Sequence, residues 1–548
     1  MSDSTISRRE LIRRGGVLGS LLALPSVLRG ATQGAAKTVS TAATAGLRAG
    51  QNVYQSIGVR PLINARGTFT IISGSTMLPE VREAMDAAAR QYVHLDELAE
   101  AVGGRLAELT KAEWGLVTNG CSAGLTLATA ACVAGGNPDL HIRLPNLSGF
   151  PKDEAVIPAN SRNVYDAALR AVGVRVVEVS TMAEFEAALG PRTALIYILA
   201  GPGADASPLN LKAIAPIAKA KGVPIVVDAA AEILTIPNVH LENGATLVAY
   251  SGGKCLRGPQ TAGLLLGRKD LVRAAWVHSA PHHGFARALK VGKEDAIGML
   301  MAVEMWVKRD HEAEWKRWNA WLDHIGQRVS TIAGVTTSVS QPNGLSNRTP
   351  SLRVLWDQQK NGLSSEAVVR ALNDGEPRIT LVPARGGGAG QAALTGVSIT
   401  PYMMAAGEEK IVADRLHAVL SKPASASGSA APTSPAAAPA PAADISGQWT
   451  VRIQYAAAAS THTLHLTQKG NDVGGFHQGE FMTREIAGSL DGDDVRIRSA
   501  YGEQHGDSVN LTFSGKVKGD DMSGTLDMGE YLGATWTATR RPGQGRRG

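Results

Sequence analysis

Asp228 and Lys254 are the pair whose types and spacing could do chemistry together. Val-Pro-Ile-Val-Val (223–227) is a continuous apolar run that reads as a buried parallel strand, and it ends on Asp228. A second run, Thr-Leu-Val-Ala-Tyr (246–250), leads into Ser251-Gly252-Gly253-Lys254. A carboxylate and an amine thus follow the carboxyl ends of two strands, 26 residues apart. In open α/β sheets that edge is where ligands bind. A lysine there is a candidate nucleophile toward a carbonyl, and a buried aspartate needs a positive or protonated partner. The plain alternative is a surface lysine on a glycine turn and an aspartate capping a helix. A nucleotide loop fails: the Walker pattern needs glycine at 248 and Ser or Thr at 255, where the chain has Val248 and Cys255.

Pyridoxal phosphate supplies both complements, an aldehyde for the lysine and a pyridinium nitrogen for the aspartate. Its phosphate needs an anion cup. Trp-Gly-Leu-Val-Thr (114–118) reads as a strand, and Asn119-Gly120-Cys121-Ser122-Ala123-Gly124 opens a small-residue helix. Free N–H groups and the helix dipole favour an anion there, and Ser122 adds a hydroxyl. Small residues also serve tight helix–sheet packing. The signal is the order of cup, aspartate and lysine on successive βα units.

With those residues in place, the sequence resembles the fold-type-I pyridoxal-phosphate enzymes, in the branch of bacterial selenocysteine synthase and the D-glucosaminate-6-phosphate ammonia-lyase-like proteins. The resemblance is carried by residues 63–68 (Ile-Asn-Ala-Arg-Gly-Thr), 118–123, 227–230 and 252–260 (Gly-Gly-Lys-Cys-Leu-Arg-Gly-Pro-Gln), with 288–294 and 376–379 further on. It implies Lys254 as the Schiff-base lysine, Asp228 as the pyridinium partner, and Gly120, Cys121, Ser122, Ala123 and Ser251 around the phosphate. Cysteine at 121 replaces a smaller residue of many relatives and could make the site oxidisable. The resemblance also implies a homo-oligomer with shared active sites. It sets Arg287, Lys290 and Lys293 near anionic groups of the substrate or of a neighbouring subunit; a solvated face is the alternative for these three. Arg378 is the candidate for a substrate carboxylate, since a guanidinium forks two N–H groups onto one carboxylate and relatives place such an arginine in a comparable region; a structural salt bridge is the alternative.

Those residues must be positioned by a doubly layered α/β domain. Strands are predicted at 114–118, 174–179, 194–199, 223–227, 246–250 and 263–266, with helices between them, so the sheet is mostly parallel. Residues 51–75 are expected to lie over this domain as an arm. The stretch 297–329, with Trp306, Trp315, Trp318 and Trp321, reads as helices linking to a small α+β domain, its tryptophans in the core. His278, His282 and His283 share a loop but lack carboxylates at ligand spacing, so no metal is expected.

The organisation expected is a leader (1–45), arm and large domain (46–290), linking helices and small domain (291–420), linker (421–443), β-domain (444–540) and basic tail (541–548). The linker is almost wholly Ala, Pro, Ser, Thr and Gly, a semi-extended spacer reaching at most about 70 Å. Beyond it, seven alternating strands separated by Gly/Asp turns predict a small antiparallel barrel or sandwich that resembles lipocalin-like domains of exported hydrolases. His462, His465, His477 and His505 could line a cavity there or stand on its outer face.

The net charge of +6 sits at the ends: +3 in residues 1–30 and +4 in 540–548, which leaves −1 for the rest. No folded basic face is evident, so a nucleic-acid partner is not expected. Ser7-Arg8-Arg9-Glu10-Leu11-Ile12 resembles a twin-arginine export motif, and the apolar run 17–28 is too short to span a bilayer. A periplasmic or otherwise exported protein without a stable membrane anchor is expected. The three cysteines (121, 132, 255) form no disulfide scaffold. The function expected is an enzyme acting at the α-carbon of an amino acid or amino-sugar acid, foremost a lyase. An aminotransferase or aldolase on the same scaffold is an alternative, and so is a non-catalytic periplasmic binding or scaffold protein.

Overall fold

The computed structural model describes residues 47–48, 50, 53–386, 394–421, 439–502 and 508–541. The twin-arginine segment, most of the linker, Gly387 and Gly388, His505 and residues 542–548 of the basic tail lie outside the described residues. Residues 53–61 belong to a separate short unit with one 3₁₀ turn, Gln55–Ile57.

From residue 62 onward the chain opens with β1 (Ile63–Asn64), then α1 (Pro79–Ala89) and α2 (Leu95–Thr110). The large domain follows: β2 (Trp114–Thr118), α3 (Gly120–Ala134), β3 (Glu154–Pro158), β4 (Arg175–Val179), β5 (Thr193–Leu199), α4 (Leu211–Ala220), β6 (Ile225–Asp228), β7 (Leu247–Ser251), β8 (Gly263–Gly267) and α5 (Lys269–Val277). Its seven strands run β2-β8-β7-β6-β5-β3-β4, parallel except for β8, which is antiparallel to both neighbours. The parallel direction sends the carboxyl ends of β2, β5, β6 and β7 to one edge, so Thr118, Asp228 and Ser251 share it. Strands β6–β8 are buried almost throughout, which is why they sit in apolar runs rather than alternations. The sequence reading missed β3; it is short, ends on Pro158 and carries Glu154, a poor strand signature.

Two long helices follow, α6 (Lys293–Lys308) and α7 (His311–Val329). The small domain then adds β9 (Val335–Ser340), β10 (Ser351–Asp357), α8 (Ser365–Asp374), β11 (Ile379–Thr380), β12 (Val382–Arg385), β13 (Leu394–Ile399) and α9 (Glu408–Leu420). Its sheet, β12-β13-β10-β9, is antiparallel and shares a core with α7, α8 and α9. Beyond residue 62 the expected arm touches both domains. β1 pairs in parallel with β11 of the small domain, while the Ser75 N–H donates to the Gly253 carbonyl at 3.0 Å. A two-residue strand leaves no periodicity to read.

The carboxyl-terminal domain is a closed antiparallel barrel of eight strands, β14 (Gly447–Gln454) to β21 (Gly533–Arg540), each paired with the next and β21 with β14. Seven were predicted. The eighth, β16 (Asp472–Gln478), hid behind Gly474-Gly475. Gly475 has φ +126°, and a Cβ there would stand 1.9 Å from the His465 carbonyl oxygen, so the neighbouring strand passes only because the side chain is absent. Inward positions alternate along β14, with Trp449, Val451 and Ile453 in the barrel core.

Candidate active site

Asp228 ends β6 and is 2% exposed. Its carboxylate accepts from the Tyr197 hydroxyl at 3.0 Å, the Ala230 N–H at 3.0 Å and the Cys121 thiol at 3.5 Å. Tyr197 is held in turn by the Asn163 amide at 2.9 Å. These donors are all neutral, and among the described residues Lys254 acts on Asp228 through its field rather than as an ion pair. Burial therefore raises its pKa, against the three hydrogen bonds and the field of Lys254. The Cys121 thiol is pushed well up by burial and by the charge of Asp228, so it stays protonated and donates. A buried carboxylate served by neutral donors calls for one positive group more.

The cup stands beside it. Gly120, at φ +81°, starts α3 after the N-cap residue Asn119, and the Asn119 amide donates to the Lys290 carbonyl at 2.9 Å. Gly263 of β8 packs against this turn so closely that a Cβ would come within 2.3 Å of the Gly120 carbonyl carbon. Asn119 and Ser122 are exposed, while Cys121 and Ala123 turn inward. The α3 amino terminus thus presents backbone N–H groups and the Ser122 hydroxyl at the edge that carries Asp228 and Ser251, which suits a phosphate.

Lys254 follows β7 by three residues. The Gly252-Gly253 pair is a matter of packing: a Cβ on Gly252 would meet Met299 Sδ at 2.6 Å, and one on Gly253 the Gln260 Cα at 2.7 Å. The turn closes with the Arg257 N–H on the Lys254 carbonyl at 3.0 Å. Lys254 lines a cavity of about 730 Å³ whose other walls include Arg257, Arg309, Arg348, Trp315, Trp318 and Tyr402. Of the four tryptophans read as core, Trp306 is buried in the large-domain core and half-buried Trp321 packs against the small-domain core, while half-buried Trp315 and Trp318 stand on the cavity wall, which Trp306 and Trp321 also reach. Residues 315, 318 and 321 share one face of α7 by their i, i+3, i+6 spacing, and periodicity alone cannot tell a face turned to a core from one turned to a cavity.

The predicted anion-binding residues are not brought together. Arg378, just before β11, gives its Nε to the Asn373 carbonyl at 3.1 Å and is absent from the cavity wall. Arg287 and Lys290 are exposed, also outside that wall. Lys293 donates to the Ala88 carbonyl at 2.9 Å and pairs with Glu294. His278 pairs with His141, Nδ1 to Nδ1 at 2.6 Å, and His282 lies 3.1 Å from Asp96. No group of three or more candidate metal ligands occurs among the described residues. Sequence reasoning missed Tyr197, which looked like one more apolar strand residue, and Arg348, in a loop without a motif.

A model of the aminotransferase class-V family matches residues 155–281. D-Glucosaminate-6-phosphate ammonia lyase of Salmonella typhimurium is 32% identical over 336 residues, 59% of this chain and 88% of that protein. The 5'-C-glycyluridine monooxygenase-decarboxylase of a Streptomyces species is 33% identical over 341 residues, 60% of this chain and 83% of that protein. A solved structure of a D-glucosaminate-6-phosphate ammonia-lyase aligns with TM-score 0.61 at 29% identity, over 68% of this chain and all of that one.

Proposed function

Since the chain belongs to the fold-type-I pyridoxal-phosphate enzymes of the D-glucosaminate-6-phosphate ammonia-lyase type, we propose that it is a lyase acting at the α-carbon of an amino acid or amino-sugar acid. The observation that carries the reading is the buried Asp228, hydrogen-bonded by neutral donors, at the same sheet edge as the Lys254 turn and the α3 amino terminus. The donor set fits the cofactor: Gly120, Cys121, Ser122, Ala123 and Ser251 would hold the phosphate, Asp228 the protonated ring nitrogen, and Lys254 the aldehyde carbon. When bound, pyridoxal phosphate supplies an electron sink beside the amino-bearing carbon. The chain's own work is then to keep the ring nitrogen protonated through Asp228 and to move the α-proton through the Lys254 Nζ. Tyr197 and Cys121 keep the Asp228 carboxylate aimed and ionised.

The two relatives name different reactions, so the reacting bond is selected by the cavity rather than by this pair. An aminotransferase or aldolase outcome uses the same residues. Purified protein should show a visible band near ~420 nm from lysine-bound cofactor that Lys254→Ala removes. A screen of amino acids and amino-sugar acids for released ammonia against exchanged keto acid then separates lyase from aminotransferase. Protein that never binds the cofactor would sink the proposal.

Two further parts of this reading rest on sequence. The Arg8-Arg9 motif with its apolar run supports export by the twin-arginine route, and fractionation of an Arg8→Lys, Arg9→Lys variant tests it. Among the described residues no helix is long and apolar enough to cross a membrane. A homo-oligomer would bring the exposed Arg287 and Lys290 to a neighbouring subunit, which sedimentation and cross-linking can test.

A further inference from the structure

We propose that the substrate selected here is an α-amino acid whose side chain ends in a planar ring, its carboxylate held by Arg348 and its ring by the Trp315, Trp318 and Tyr402 faces. This rests on the reading of Lys254 as the cofactor lysine and goes further, to what the cavity holds against that amine.

Arg348 is fixed in place although it lies in a loop. Residues 345–347 dock on the segment just after Asp228: the Ile233 N–H donates to the Leu345 carbonyl at 3.1 Å and the Asn347 N–H to the Ala231 carbonyl at 2.7 Å. Between them the Ser346 hydroxyl donates to the buried Glu232 at 3.4 Å, and the other oxygen of Glu232 meets His240 Nε2 at 2.6 Å. The next residue is Arg348, exposed, on the wall shared with Lys254, with no hydrogen bond or ion pair among the described residues.

The other arginines of the cavity are engaged. Arg309 Nη2 reaches both oxygens of Glu314 at 2.9 and 3.0 Å, and Nη1 donates to the Cys255 carbonyl at 3.1 Å. Burial would raise the Glu314 pKa, but His311 and Arg309 hold it down at about 2, so that pair stays charged and closed. Arg257 donates to the Thr76 carbonyl and hydroxyl at 3.0 and 3.2 Å. Arg317 lies over the Trp321 ring at 5.7 Å and 3.9 Å from Glu314. Arg348 is therefore the arginine free to fork onto a substrate carboxylate.

The rest of the wall is aromatic. Trp315 and Trp318 stand with ring centroids 6.1 Å apart, and Trp318 meets Tyr402 edge to face at 6.0 Å. The Tyr402 hydroxyl is tied to Thr68 at 2.6 Å, which fixes that ring. Half-exposed indoles are a costly wall to leave in water and a good one for a planar ring. Lys316, exposed and with no ion pair among the described residues, is the feature that would suit a second anion such as a phosphate.

The test uses the full chain in two forms. Calorimetry on Lys254→Ala protein measures binding of L-phenylalanine, its amide, L-alanine and D-glucosaminate 6-phosphate without cofactor chemistry; shifts of the visible band report the same compounds on the loaded wild type. L-Phenylalanine is expected to bind at least ten-fold more tightly than the other three in both. Arg348→Met should erase the preference for phenylalanine over its amide, and Arg348→Lys should restore part of it. Trp318→Leu should erase the preference over alanine and leave the amide discrimination. The proposal is overturned if D-glucosaminate 6-phosphate binds best, if L-phenylalanine does not bind, or if Arg348→Met keeps the amide discrimination. A band without the ring preference sinks this inference alone; phenylalanine binding in a chain that never acquires a band sinks the cofactor reading instead.

Discussion

Asp228 in the large domain and the His462–His477 pair in the barrel are both buried polar groups, and they are satisfied in opposite ways. Inside the barrel every ring nitrogen is used. His462 Nδ1 meets His477 Nε2 at 2.8 Å, His477 Nδ1 meets Ser499 at 2.8 Å, and His462 Nε2 meets Ser460 at 3.0 Å, with Tyr455 beyond it at 2.9 Å. Burial holds the imidazoles neutral, with the His477 pKa at about 3. Asp228 instead collects three neutral donors and has no ion-pair partner among the described residues. A closed network of neutral groups specifies a fold; a buried acid short of a cation waits for a ligand.

That contrast can be attacked in order of expected effect. Lys254→Ala should abolish the visible band and lower turnover by at least ~10²-fold, and Asp228→Ala should weaken cofactor binding with the barrel's hydrogen-exchange protection unchanged. Tyr197→Phe removes a hydrogen bond to a charged group, worth about 1.5–3 kcal/mol, so cofactor affinity should fall ~10-fold or more, read by titrating apo protein. Cofactor affinity that ignores Tyr197→Phe would end the idea that the tyrosine serves Asp228. His477→Ala leaves the Ser499 hydroxyl and His462 Nδ1 without their His477 partner, and the barrel should lose about 1–3 kcal/mol by hydrogen exchange while the band stays intact. Cys121→Ala removes a weak thiol donor and should change cofactor affinity least.

The pH responses also differ in sign. Burial raises the Asp228 pKa in the cofactor-free chain, so its contribution to stability is present below the ordinary carboxylate pKa and is lost as pH rises through the raised value. A pyridinium partner reverses this. The gain in melting temperature on adding cofactor should therefore grow with pH, and Asp228→Asn should flatten it. His477 is depressed instead: its contribution is present above the ordinary histidine pKa and is lost as pH falls toward about 3. Barrel strands should lose protection on the acid side of neutrality, and His477→Ala should blunt that slope.

Much of this was legible in the chain itself. The apolar runs ending at Asp228 and Ser251, the glycines before Lys254 and the small residues opening α3 declare strands, turn and cup, because burial on both faces and close backbone approach restrict residue types locally. The barrel's alternation declared its class, and only the glycine-bearing β16 escaped. Tertiary packing decided the rest. Tyr197 serves Asp228 because β5 and β6 are neighbours in the sheet, Trp315 and Trp318 of α7 face a cavity whose wall also holds Lys254 and Tyr402, and Arg348 rather than Arg378 lines that cavity because a loop over a hundred residues downstream docks behind Asp228. Local pattern fixes what a segment can be, whereas the partner of a polar side chain is set by contacts between segments far apart in the chain, which leave no period and no motif to read.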